Sequence, residues 1–155
     1  MLDDVVIDTC VLAHANSASH GGLQLQTRAR EFLLKLATSA TSMSVDPGVS
    51  WPASNSSSKI WCEYRDTGAF GYGTTARDFV TAMLRTRRVR EVAPATLSQV
   101  HRYTGQGLDP RFVRVAAACV DKRLVTHDRG YNGGELRRRF GVTVCDSYEG
   151  FTALD

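Results

Sequence analysis

The sequence lacks the features that would place it in the membrane, zinc-ribbon or disulfide-scaffold classes. No apolar run approaches the ~20 residues that a membrane-spanning helix needs. The acidic start, Met1–Asp4, leads directly into a predicted strand, which is not typical of a signal peptide. Only four cysteines occur in 155 residues, and no two of them form a Cys-x-x-Cys pair. These absences favour a reduced, cytoplasmic protein without a membrane partner.

Several catalytic signatures are missing as well. The chain contains no Gly-x-Gly-x-x-Gly or Walker sequence, so a nucleotide cofactor has no support. No His-Glu-x-x-His or His-x-x-x-His pair occurs among the four histidines, which argues against zinc, and no Gly-x-Ser-x-Gly elbow supports a serine hydrolase. A haloacid-dehalogenase-type phosphatase needs a second aspartate two residues after the first, where this chain has Cys10.

What the chain does contain is an alternation of strand and helix patterns. Its length and its 43% hydrophobic content suit one compact domain, residues 1–155, with a real core. Buried-strand runs begin at Val5, Met43, Val89, Leu124 and Val142. No hairpin signal separates them. We therefore expect an α/β fold with a central parallel sheet of about four to five strands, helices on both faces, and surface loops at 46–58 and 68–74.

Helical periodicity fills the segments between these strands. Helices are predicted from Leu23 to Thr38, around Ile60–Tyr64, from Thr75 onward and after Asp109. Asp109 is expected to cap the last of these, with Pro110 at its first position and a core-facing apolar stripe that runs to Val120. The chain is expected to close with a strand, a cap and a helix between Val142 and Leu154.

Two of the strand patterns run into an acid at their carboxyl ends. One run leads into Asp8, and another leads through Thr126 and His127 into Asp128. Because the carboxyl ends of parallel strands meet at one edge of a sheet, we expect these two aspartates to lie together there. Carboxylates brought together repel each other unless a divalent cation lies between them, and Mg²⁺ and Mn²⁺ prefer such oxygen ligands. The pattern predicts a metal-dependent enzyme that acts on phosphates.

Basic residues are clustered, although the net charge is only +3. The clusters are Arg85, Arg87, Arg88 and Arg90; Arg137, Arg138 and Arg139; and Arg111, Arg114, Lys122 and Arg123. Such residues often only solubilise helix faces and the last turns of helices. Three clusters around a predicted acidic centre instead fit a polyanion that is bound by arginine and cut at a metal. The distribution favours a nucleic acid over a small neutral substrate.

Four segments share their order and motifs with a known family. They are Val-Ile-Asp8-Thr9, Ser58-Lys-Ile-Trp-Cys-Glu63-Tyr64, Asp109-Pro-Arg-Phe-Val-Arg, and Leu-Val-Thr126-His-Asp128-Arg-Gly-Tyr. On these segments the chain resembles the PIN-domain nucleases, a family that includes the VapC-type toxins of bacterial toxin–antitoxin pairs. Many members carry a further acid two residues after the fourth, where this chain has Gly130, and Asn132 is the nearest polar substitute.

The resemblance implies an endoribonuclease that hydrolyses RNA phosphodiester bonds with Mg²⁺ or Mn²⁺. The implied metal ligands and catalytic residues are four acids, Asp8, Glu63, Asp109 and Asp128. Hydrogen bonds that orient these acids are expected from three polar residues, Thr9, Thr126 and Asn132. Contacts to the nucleic acid are expected from five arginines, Arg85, Arg87, Arg88, Arg111 and Arg129. A small antitoxin protein and a homodimer are further partners that the resemblance implies.

Each acid also has a purely structural interpretation. Asp8 and Asp109 occupy positions typical of helix caps, Asp128 fits an Asx turn, and Glu63 fits an exposed helix position. A non-catalytic nucleic-acid-binding module on the same fold is therefore the alternative function, because degenerate relatives keep the sheet and lose acids.

Two further sets of polar residues are left outside the predicted site. His127 is expected on the surface or in packing, because neighbouring residues of a strand point to opposite faces, and Asp128 already points into the site. Four other aspartates lack either the placement at a strand end or the match to the family: Asp46, Asp78, Asp121 and Asp146.

Overall fold

The computed structural model covers residues 1–155 and contains five strands and seven α-helices. The strands are β1 (Asp4–Ile7), β2 (Ser42–Val45), β3 (Val89–Glu91), β4 (Arg123–Val125) and β5 (Thr143–Cys145). The helices are α1 (Thr9–Asn16), α2 (Gly22–Thr38), α3 (Lys59–Asp66), α4 (Thr75–Arg85), α5 (Arg111–Ala118), α6 (Gly133–Phe140) and α7 (Ser147–Ala153). Short 3₁₀ turns occupy Ala53–Asn55 and Val100–Tyr103. None of the helices combines the length and the apolar composition needed to cross a bilayer.

All five strands form one parallel sheet in the order β3-β2-β1-β4-β5, which confirms the predicted fold class and strand number. In the central pair, Val6 lies opposite Leu124 and Ile7 lies opposite Val125. From β1 the chain first builds the sheet toward β3, and it later returns to add β4 and β5 on the other side. The direction of winding therefore reverses between β1 and β4. In open parallel sheets, the crevice at such a reversal is the usual place for a ligand.

Helices bury both faces of this sheet. Val5, Val6 and Ile7 of β1 are all fully buried, although their side chains alternate between the two faces. Helix α5 packs on β1, β2 and β4, whereas α1, α2, α4 and α7 pack on one another as a second group. Helix α7 approaches closely at Gly150, where an added Cβ would lie 3.0 Å from the Phe32 ring of α2.

An aromatic cluster fixes α3 against the end of β1. Trp61 and Tyr64 are fully buried and pack around Phe70, with ring centroids 4.9 Å apart for Trp61 and Phe70. The Tyr64 hydroxyl donates a hydrogen bond to the carbonyl of Ile7, the last residue of β1. This contact holds Glu63, the neighbour of Tyr64, close to the carboxyl end of the central strand.

The structure departs from the predicted pattern at three places. Helix α6 was not predicted, because Leu136 is its only buried residue and two glycines begin it. Helix α5 ends at Ala118, so Val120 lies beyond the apolar stripe that was expected to include it and is 61% exposed. The predicted surface loop 68–74 includes Phe70, which is buried in the aromatic cluster.

The buried carboxylate of Asp46, which follows β2, caps the start of α3. It accepts hydrogen bonds from the Ser58 hydroxyl at 2.7 Å and from the backbone N–H groups of Lys59 and Ile60 at 2.8 and 2.9 Å. The Ser58 hydroxyl in turn accepts the N–H of Trp61. These bonds satisfy donors that the first turn of a helix leaves without intrahelical partners.

We expect Asp46→Asn to lower the free energy of unfolding by about 1–3 kcal/mol, because one amide oxygen cannot replace two carboxylate oxygens as acceptors. Urea denaturation measures this change. Asp3→Asn is the control, since the Asp3 carboxylate is exposed and makes no hydrogen bond; it should shift the value by less than about 0.5 kcal/mol. A loss in Asp46→Asn no larger than that of the control would contradict the capping role.

Candidate functional site

Four acids from four separate segments lie at the carboxyl edge of the sheet near the reversal between β1 and β4. Asp8 follows β1, Asp128 lies in the turn after β4, Glu63 is on α3, and Asp109 precedes α5. Burial is the main cause of the raised pKa of Asp8 and of Glu63; the charge of Asp128 adds a smaller rise at Asp8, and the charges of Asp8 and Asp109 add smaller rises at Glu63. The four side chains are thus close enough to interact, and we call them the acid cluster.

Asp8 is the most buried member of the acid cluster, with 5% of its surface exposed. The Thr126 hydroxyl donates to Oδ2 at 2.6 Å, and the Cys10 thiol lies 3.5 Å from the same oxygen. Neither bond ends on Oδ1. Although Asp8 occupies the cap position of α1, its side chain makes no capping hydrogen bond. Burial raises the pKa of Asp8, and the bond from Thr126 opposes this rise.

Glu63 is held by the first residue of α1. The Thr9 hydroxyl donates to Oε1 of Glu63 at 2.9 Å, and Thr9 itself is 7% exposed. Burial is the main cause of the raised pKa of Glu63, and the bond from Thr9 lowers it in part. The predicted contact between Thr9 and a carboxylate is therefore present in the structure.

Thr126 connects the two strand-end aspartates. While its hydroxyl donates to Asp8, it also accepts the backbone N–H of Asp128 at 3.0 Å. Asn132, by contrast, is exposed, and its side-chain oxygen caps α6 by accepting the N–H of Glu135 at 3.2 Å. It makes no hydrogen bond to the acid cluster, so the structure brings together only two of the three predicted polar residues.

Asp109 pairs with Arg111 and lies one residue before the cap of α5, which is Pro110 rather than Asp109 as predicted. Its Oδ1 accepts the Arg111 N–H at 2.8 Å, and its Oδ2 lies 3.9 Å from Nε of the same arginine. Nη1 of Arg111 also lies 3.5 Å from the buried Asp46 carboxylate. The guanidinium that was predicted to contact nucleic acid is thus engaged by two acids of its own chain.

Asp128 lies in a turn in which Gly130 packs closely against Leu108 and against Asp128 itself. The Gly130 N–H bonds to Oδ1 of Asp128 at 2.8 Å, which forms the Asx turn. A Cβ at Gly130 would lie 2.9 Å from Leu108 and 3.1 Å from that Oδ1, and a Cβ at Gly105 would lie 3.0 Å from the Cα of Gly130. The loop before Asp109 therefore packs directly on the turn after Asp128.

Three of the arginines predicted to bind nucleic acid lie far from the acid cluster. Arg85, Arg87 and Arg88 precede β3, and the amino ends of parallel strands lie at the sheet edge opposite the carboxyl ends. Arg88 donates to the carbonyls of Leu36 and Ser39 at the end of α2. The structure does not bring these three arginines to the predicted acidic centre.

A cavity of about 480 Å³ opens beside the acid cluster on the β5 side. Its lining includes Asp128, Arg129 and Arg28 of α2, and neither arginine forms an ion pair with an acid of the protein. Asp146 and Glu149 also line it, and they form the capping box of α7, so the charge of the cavity is mixed. The amphipathic pattern of α2 does not predict that Arg28 lines this cavity, because its position there depends on how α2 packs in the fold.

His127 is partly buried and packs between two other polar side chains, in line with the predicted packing role. Its ring stacks on His14 with the two Nδ1 atoms 2.7 Å apart, and its Nε2 lies 2.7 Å from the Ser147 hydroxyl. Burial, aided by the charge of His14, lowers the pKa of His127 to about 4. The ring is therefore neutral at physiological pH and offers no positive charge to a phosphate.

Two residues that were not singled out from the sequence lie beside the acid cluster. Cys10 contacts Asp8 and accepts the N–H of His127, and burial raises its pKa to about 12, so it is a neutral thiol. Tyr131 is buried, and this burial, followed by the charges of Asp8, Glu63 and Asp128, raises its pKa. No charge pattern or spacing in the sequence marks either position, because both depend on how β1 and β4 are paired.

The donor atoms of the acid cluster are all carboxylate oxygens, the type that Mg²⁺ and Mn²⁺ prefer. Asp8, Glu63 and Asp128 form no ion pair with lysine or arginine. In their present positions, no three or more His, Cys, Asp and Glu side chains are arranged to hold a metal ion.

In EDTA, we expect Asp8→Asn to be more stable than the wild type at neutral pH and this difference to shrink as the pH falls. Burial raises the pKa of Asp8 in the folded state, so protonation of this carboxyl favours folding of the wild type and has no counterpart in the variant. The lowered pKa of His127 opposes folding on acidification in both proteins, so it cancels in the comparison. Thermal denaturation of the two proteins at several pH values measures the difference, and equal pH dependence would contradict the buried charge.

Gly130→Ala should lower the free energy of unfolding by about 1–3 kcal/mol, because its methyl group would overlap Leu108 and the Asp128 carboxylate. Gly134→Ala is the matched control, since the nearest atom to a Cβ there is 3.8 Å away and alanine favours the helix. Chemical denaturation of both variants measures the effect. Equal stability of the two variants would argue against close packing at Gly130.

Comparison with known proteins gives no family assignment: no protein-family model matches the chain, and no curated protein matches it. The resemblance to PIN-domain nucleases therefore stays a prediction from the motifs quoted above.

Proposed function

We propose that the protein is a metal-dependent nuclease that hydrolyses RNA phosphodiester bonds at the acid cluster. The observation that carries this proposal is the burial of Asp8 beside Glu63 with no cationic side chain to pair with either. Burial of unpaired charge opposes folding unless a positive charge compensates it. A divalent cation at the edge between β1 and β4 would supply that charge.

The chain's own residues have distinct roles in this proposal. Asp8 offers Oδ1, while Thr126 holds Oδ2, and Thr9 holds one oxygen of Glu63. Binding requires Glu63, Asp109 or Asp128 to rotate toward Asp8, because the present positions do not enclose an ion. A bound Mg²⁺ or Mn²⁺ supplies an activated water and stabilises negative charge on the scissile phosphate.

The surroundings of the acid cluster support a nucleic acid as substrate. Arg28 and Arg129 line the cavity beside Asp128 without acidic partners, so both are available to phosphate groups. Asp146 and Glu149 in the same cavity repel phosphate but suit the amino groups of bases. The choice of RNA over DNA rests on the PIN-domain resemblance, and a toxin role, a small antitoxin and a homodimer stay predictions of the same resemblance.

A mixed pool of end-labelled RNA, incubated with Mg²⁺ or Mn²⁺, tests this function. We expect cleavage by the wild type and a loss of about 100-fold or more in Asp8→Asn and in Asp128→Asn, because each removes a charged oxygen donor. Asp78→Asn, which alters an exposed acid on α4, should keep full activity.

Two outcomes would contradict the nuclease. Full cleavage in excess EDTA would exclude the metal mechanism. A folded protein that takes up the cation and binds RNA without cutting it would favour the non-catalytic nucleic-acid-binding module.

A further inference from the structure

The hydroxyl of Tyr131 is a buried polar atom with no hydrogen-bond partner. Tyr131 lies between β4 and α6, its side chain is packed in the core, and 7% of its surface is exposed. Buried hydroxyls in folded proteins are ordinarily paired, because an unpaired one loses its hydrogen bonds to water and gains nothing in return. Tyr64 shows the ordinary case, since its buried hydroxyl donates to the Ile7 carbonyl. The unpaired hydroxyl of Tyr131 therefore calls for an explanation.

Tyr131 follows directly on the turn that contains Asp128. The Gly130 N–H bonds to Asp128 Oδ1, and the next residue along is Tyr131, whose carbonyl accepts the Gly133 N–H at 3.0 Å. Burial and then the charges of Asp8, Glu63 and Asp128 raise the pKa of Tyr131. Three of the four acids of the cluster thus act on the hydroxyl, which stays protonated and is a donor rather than a base.

We propose that Tyr131 is a positioning residue whose hydroxyl donates a hydrogen bond to a carboxylate oxygen of the acid cluster when a divalent cation is bound. This inference rests on the proposed function, which requires acids of the cluster to rotate toward the cation. Such a rotation gives the hydroxyl an acceptor that it lacks in the present arrangement. A hydrogen bond made only in the loaded state favours that state, and so it raises the affinity for the cation.

Tyr131→Phe tests this role, because it removes the hydroxyl and keeps the packed ring. In EDTA we expect the variant to be at least as stable as the wild type to heat, since the lost hydroxyl had no partner. With Mn²⁺, isothermal titration calorimetry should show a fall in affinity of about 10-fold, and the rise in Tm caused by Mn²⁺ should be smaller than in the wild type.

Two other tyrosines provide matched controls. Tyr64→Phe removes a buried hydroxyl that is already paired, so it should lower the Tm in EDTA as well as in Mn²⁺. Tyr148→Phe alters a tyrosine that is 60% exposed and should change neither the Tm nor the affinity.

The outcomes separate this inference from the function on which it rests. A wild type that binds no Mn²⁺ would overturn the metal-dependent function and this role with it. A wild type that binds Mn²⁺, with equal affinity in Tyr131→Phe, would overturn only the role of Tyr131. A loss of stability of Tyr131→Phe in EDTA would also overturn it, because the hydroxyl would then be paired before the cation binds.

Discussion

The pairing of β1 with β4 determines where the acid cluster forms. Its register sets Ile7 opposite Val125, so the residues that follow, Asp8 and Thr126, meet at the edge of the sheet and form a hydrogen bond. Because Thr126 also accepts the N–H of Asp128, one register positions both strand-end acids. A slip of one residue would exchange the two faces of β4 and turn Thr126 away from Asp8.

Two buried aspartates at neighbouring strand ends differ in how their charge is compensated. Asp46 accepts a hydroxyl and two backbone N–H groups and lies close to Arg111, so its charge is well compensated. Asp8 is buried to a similar extent, but it receives a hydroxyl and a thiol and no positive charge. A buried carboxylate without a compensating positive charge is typical of sites that bind a ligand.

Local patterns predicted the parts of the molecule that depend on local physics. The runs of buried strand residues predicted the parallel sheet. Because the carboxyl ends of parallel strands meet at one edge, they also predicted that Asp8 and Asp128 lie together. Helix α6 was missed because its packing on β5, and not an apolar stripe, supports it. A cluster of charged residues in the sequence does not show at which edge of the sheet it will lie. Arg88 was therefore predicted near the acids at the carboxyl edge, whereas it precedes β3 and lies at the amino edge. Gly130 and Tyr131 depend on contacts between distant loops, which spacing along the chain does not reveal.

The hydrogen bond between Thr126 and Asp8 joins residues 118 positions apart, and the bond between Thr9 and Glu63 spans 54. During synthesis, Asp8 leaves the ribosome early, but β4 can pair with β1 only after residues up to Val125 have been synthesised. Contacts of such long sequence separation form late in folding. Nascent chains and fragments that end before β4 therefore carry Asp8, Glu63 and Asp109 without Thr126 and Asp128, and the acid cluster is complete only once β4 has paired with β1.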